Sequence, residues 1–74
     1  MGKIYENIHT FRDIELAMID FGILPLKKEL TSSQCYALLG GGELYYCCKM
    51  CNIERWHTLR YEPAYAQFII TTLH

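Results

Sequence analysis

The chain has no run of about 18 apolar residues, the length that a membrane-crossing helix requires, so no membrane partner is expected. Its opening, Met1-Gly2-Lys3-Ile4-Tyr5-Glu6, lacks the apolar core of a secretory signal, which leads to the expectation of a cytoplasmic protein. A charge excess of either sign is missing as well, because seven Lys and Arg stand against eight Asp and Glu. That balance argues against a generic nucleic-acid binder, which needs a strongly basic face, and equally against an acidic mimic of DNA. Gly40-Gly41-Gly42 lacks the lysine and the spacing of a phosphate-binding loop, and no dinucleotide fingerprint is present. There is no second Cys-x-x-Cys, no complete catalytic motif, no repeat and no low-complexity stretch. No enzyme is expected, and no motif is complete enough to name a family.

What is present is a short, ring-rich chain. At 74 residues it has room for one domain, residues 1–74, with a thin core. Half of the residues are hydrophobic, which excludes disorder. One tryptophan, six tyrosines and three phenylalanines exceed what so small an interior encloses, so some rings are expected to meet another molecule.

The surest element is an amphipathic helix over residues 7–21, capped by Asn7 or Thr10, with Phe11, Ile14, Met18 and Phe21 as its core stripe. Asp13 and Asp20 fall on the opposite face, and so does Leu16, which is either a lone exposed leucine or a partner contact. Gly22 is placed to end this helix and Pro25 to block its continuation. Thr31-Ser32-Ser33-Gln34 has the form of a capping box for a short helix through Leu39, but the preferred assignment is a strand over residues 34–39. The glycine triplet then serves as a hairpin turn, since three glycines inside a regular element cost too much chain entropy. Strands follow over residues 43–49 and 53–61. Pro63 suits the first turn of a C-terminal helix carrying Tyr65, Phe68, Ile69, Thr72 and Leu73, although Phe68 to Thr72 has strong strand propensity. The expected architecture is α+β: order α-β-β-β-α, a three-stranded antiparallel sheet packed by an N-terminal and a C-terminal helix.

Four cysteines, three of them in Cys47-Cys48-Lys49-Met50-Cys51, raise the question of metal. Cys48 and Cys51 have the bite of half a zinc knuckle, and the remaining two ligands would best come from Cys35 and His57, with Cys47, His9 and His74 as other donors. Such a zinc-stapled domain with a nucleic-acid partner is one alternative function. A thiol-dependent enzyme, using the Cys48/Cys51 pair or a cysteine with His57 as base, is another, but strand and turn rather than a helix N-terminus surround the pair. The favoured expectation is no cofactor and no catalytic residue, with the cysteines serving as small buried hydrophobes.

Arg55-Trp56-His57 and Arg60-Tyr61, with Tyr45-Tyr46 on the preceding strand, place cations and rings together. Trp, Tyr and Arg dominate protein-binding hot spots, and the same set stacks on single-stranded nucleic acid. Arg55 and His57 share one strand face with Leu59 and Tyr61, whereas Glu54, Trp56, Thr58 and Arg60 share the other. Lys49, Arg55 and Arg60, beside Glu54 and Glu62, are too few for phosphate-driven binding. The expected function is therefore a small non-enzymatic interaction protein, a regulator or inhibitor of the kind that phage or accessory operons encode. It would bind a protein partner or itself, as a homodimer, through Tyr45, Tyr46, Arg55, Trp56, Arg60, Tyr61 and Leu16.

Overall fold

Two helices on one face of a four-stranded antiparallel sheet make up the computed structural model, which describes residues 2–23, 31–48 and 55–73. The first strand, β1 (Gly2–Tyr5), precedes any helix. Asn7 then turns the chain at a positive φ of 60°, a region that asparagine enters at low cost. Helix α1 (Phe11–Phe21) starts at Thr10, not Asn7. The Thr10 hydroxyl accepts from the Asp13 amide at 3.2 Å, and the Asp13 carboxylate accepts from the amides of His9 and Thr10 at 2.8 and 3.0 Å. Those bonds satisfy donors that the first helical turn leaves unpaired. Gly22 closes the helix at φ 89°, as its position after the apolar stripe predicts.

The second helix, α2 (Ser32–Leu39), replaces the strand preferred for residues 34–39. Its capping box is reciprocal: Gln34 donates its amide to the Thr31 hydroxyl at 3.2 Å, and the Gln34 side chain accepts from the Thr31 amide at 2.9 Å. Cys35 and Leu38 then bury at i, i+3, a helical rather than an alternating period. The glycine triplet consequently ends a helix instead of turning a hairpin. Gly41 and Gly42 donate to the carbonyls of Leu38 and Ala37 at 2.9 and 3.0 Å. A Cβ on Gly42 would stand 2.6 Å from the Ala37 oxygen, so only glycine fits.

Strands β2 (Glu43–Cys48) and β3 (Arg55–Glu62) follow as expected, and a 3-10 turn at Pro63–Tyr65 leads into β4 (Gln67–Thr72). The expected C-terminal helix is thus a strand. Proline opens only one tight turn, Ala66 at φ 50° reverses the chain, and Phe68 and Ile70 bury at a period of two. Strand propensity in Phe68-Ile69-Ile70-Thr71-Thr72 wins because β3 offers it a partner along its whole length. The sheet order is β1-β4-β3-β2, four strands rather than three, and the chain runs β-α-α-β-β-β.

The core lies between the helices and one sheet face. Ile14, Ala17, Met18 and Leu38 from the helices meet Leu59, Tyr61, Phe68 and Ile70 from β3 and β4. Lys3 and Tyr5 on β1 both bond Asp20 of α1, at 2.9 and 3.0 Å, and tie the edge strand to the helical layer. No helix among the described residues is long and apolar enough to cross a membrane.

Candidate functional site

Among the described residues, no helix lies on the opposite sheet face. Alternation along each strand decides what that face carries. Cα pairing aligns the residues in rows across the strands. One row is Ile4, Ile69, Arg60 and Glu43; the next is Gly2, Thr71, Thr58 and Tyr45. A third row pairs Trp56 with Cys47, and Leu73, whose amide donates to the Trp56 carbonyl at 2.8 Å, extends it beyond β4. Trp56 is 54% exposed, Tyr45 65% and Ile4 56%. Trp56 and Tyr45 are diagonal neighbours on adjacent strands, about 7–8 Å apart by sheet geometry, close enough to form one aromatic patch. Among the described residues, nothing covers this face.

The seven interface candidates therefore separate. Tyr45, Trp56 and Arg60 come together on the uncovered face. Tyr61 goes to the other side, buried in the core, where its hydroxyl donates to the Ile8 carbonyl. Tyr46 packs partly buried against the same core, opposite His57. Arg55 is exposed at the start of β3 on the helical side of the pleat. Leu16, 47% exposed, belongs to the helical layer and lines a groove of about 330 Å³ with Tyr5, Asn7, Asp13, Ala17 and Asp20. It is not continuous with the aromatic face.

Ile4, Ile69 and Thr71 belong to the face but were missed as candidates. Their signal was the alternation in β1 and β4, which a four-residue strand and a supposed helix concealed.

Of the four proposed metal ligands, Cys51 and the Cys48 side chain lie outside the described residues, as do Lys49 and Glu54. Cys35 is buried on α2, and burial, helped by the Glu15 charge, raises its thiol pKa above the ordinary value. Such a thiol is kept protonated, the state of a packing cysteine rather than a nucleophile. Among the described residues, no three His, Cys, Asp or Glu side chains cluster as a metal site.

His57 is 1% exposed, set edge-on to the Phe21 ring at 5.6 Å between centroids, with the Thr72 hydroxyl 3.4 Å from Nδ1. Desolvation, and secondarily the Arg55 charge, lower its pKa below the ordinary 6.5. Between those two values the unfolded chain binds more protons than the folded one, so this contribution to stability is complete above pH 6.5 and is lost as pH falls below it. We expect the urea midpoint to drop from about pH 7 to about pH 5, and the drop to disappear in His57→Gln. A midpoint that stays constant across that range in the wild-type chain contradicts the assignment.

No protein-family model matches the chain, and comparisons with curated proteins and with solved structures give no significant match.

Proposed function

We propose that the chain is a small non-enzymatic interaction protein, of regulator or inhibitor type, that docks a macromolecule on the uncovered sheet face around Tyr45, Trp56 and Arg60. One observation carries this reading: large rings stand half or more exposed on a face that no described element covers, although the opposite face has a well-filled core. Water contact with that much contiguous apolar surface is unfavourable at roughly 25 cal/mol per Å², so covering it stabilises a complex. The patch also has the hot-spot composition of tryptophan, tyrosine and arginine.

A protein partner suits the face better than nucleic acid. Arg60 stands next to Glu43 in register, so among the described residues the patch has no net positive field to hold a phosphate chain. The protonated, buried Cys35 thiol supports a structural role for that cysteine.

The test is site-directed photo-crosslinking in lysate of the source cells. A benzophenone amino acid is placed at position 45, 56 or, on α2, 36. Adducts with another chain or with a second copy are expected from positions 45 and 56 and not from 36. Adducts confined to position 36, or none from either sheet position, contradict the reading.

A further inference from the structure

We propose that the uncovered face is built to meet a second copy of itself, the two sheets packing across a two-fold axis that runs perpendicular to the strands through the Gly2–Thr71–Thr58–Tyr45 row. This rests on the reading of that face as a docking surface and names its occupant.

The face is complementary to itself. In a two-fold interface, if residue i meets residue j, then j meets i. Arg60 and Trp56 both point outward from β3, each two residues from Thr58 and therefore roughly 7 Å on either side of it along the strand. Rotation about an axis through Thr58 lays Arg60 over Trp56 of the second copy, and Trp56 under Arg60 of that copy. Two cation–π pairs form, in a place sheltered from water where such pairs are strongest. On β4 the same rotation brings Ile69 onto Leu73, an apolar pair, and on β2 it brings Glu43 to Cys47. The central row meets itself, with threonine against threonine and Tyr45 against Tyr45. Aligned sheets cross at about 30°, which displaces residues 7 Å from the axis by only about 3.5 Å, less than one strand spacing.

The alternative axis, parallel to the strands, is unfavourable. It would place Arg60 over Ile69 and Glu43 over Ile4 of the other copy, desolvating both charges against aliphatic carbons. The Arg60–Trp56 pairing thus selects the first orientation.

Extent sets the strength. Four strands about 4.8 Å apart, and about six residues long at about 3.4 Å each, span on the order of 400 Å² in projection. A standard stable interface buries about 800 Å² on each side, so this dimer belongs to the weak, concentration-dependent class.

Sedimentation equilibrium from low micromolar to millimolar protein reads the outcome. The wild type is expected to dimerise reversibly in the micromolar range. W56R sets two cations against each other in both pairs and should weaken the dimer by tenfold or more. R60W removes both cations and should weaken it less. The exchange variant W56R/R60W rebuilds both pairs with partners reversed and should recover dimerisation to within a few fold of wild type. Both sites are exposed in the monomer, so circular dichroism and melting should match wild type and separate misfolding from lost association. A wild type that stays monomeric overturns the proposal, as does a folded exchange variant no stronger than W56R, or a dimer indifferent to W56R. If the wild type is monomeric but positions 45 and 56 crosslink to a different chain, the docking face stands and only its occupant is wrong.

Discussion

Phe68→Ala is expected to lower unfolding free energy by about 3–5 kcal/mol, the usual loss for a buried phenylalanine truncated to alanine. Phe68 is fully buried at the centre of the core, paired with Tyr5 of β1 on one side and Tyr61 of β3 on the other. It belongs to the core that both helices and the sheet share, so its loss opens a cavity there. A chain of this length has total stability of roughly 4–11 kcal/mol, at 0.05–0.15 kcal/mol per residue, so the substitution removes from about a quarter to all of it. Urea titration followed by circular dichroism measures the change. A loss below about 1 kcal/mol would mean that Phe68 does not occupy the core, and the strand assignment of residues 67–72 would fall with it.

Tyr61→Phe should cost about 1–3 kcal/mol, a large effect for the removal of one oxygen. The Tyr61 hydroxyl donates to the Ile8 carbonyl, and both residues are buried. Removing the donor leaves a carbonyl shut away from water without its partner, and that desolvation is where the loss arises. Ile8 also donates its amide to the Ala66 carbonyl at 3.0 Å, so the segment between β1 and α1 is held to the β3–β4 hairpin by both of its polar groups. Urea midpoints of the two proteins give the difference. Association should be unaffected, since Tyr61 faces away from the aromatic patch. If Tyr61→Phe weakened self-association without changing stability, Tyr61 would belong to the docking surface after all.

Legibility in the sequence followed the strength of local signals. Helix α1 was plain because its stripe, its cap and its terminal glycine all agreed, and only the choice of Thr10 over Asn7 needed the structure. Helix α2 shows the opposite situation. Its capping box was visible in Thr31 and Gln34, but eight residues with two buried positions leave too short a stripe to outweigh a neighbouring glycine triplet read as a hairpin. Residues 67–72 were ambiguous in principle: Phe68, Ile69, Thr72 and Leu73 satisfy helical spacing, while Phe68 and Ile70 satisfy alternation. Pairing with β3, a non-local interaction, decided the matter. Strand β1 is four residues long with a single large apolar side chain on its outer face, and no local pattern distinguishes it from a tail.

The candidate site was half legible. The face shared by Trp56, Thr58 and Arg60 follows from alternation in β3 alone, and Tyr45 joins it because the β2–β3 register pairs it with Thr58. Tyr46 and Tyr61 have the same composition but the opposite parity, and composition cannot tell the two faces apart. Ile4 and Ile69 could not be placed without the fourth strand.

Fluorescence of the single tryptophan, recorded against protein concentration with an iodide quencher, tests the central claim most directly. If the sheet face is open in the monomer and covered by association, Trp56 emission is red-shifted and readily quenched at the lowest concentrations. It then shifts to the blue and becomes protected as concentration rises. Blue-shifted, iodide-protected emission already present in dilute solution would contradict it, because the indole would then be part of the monomer's own interior.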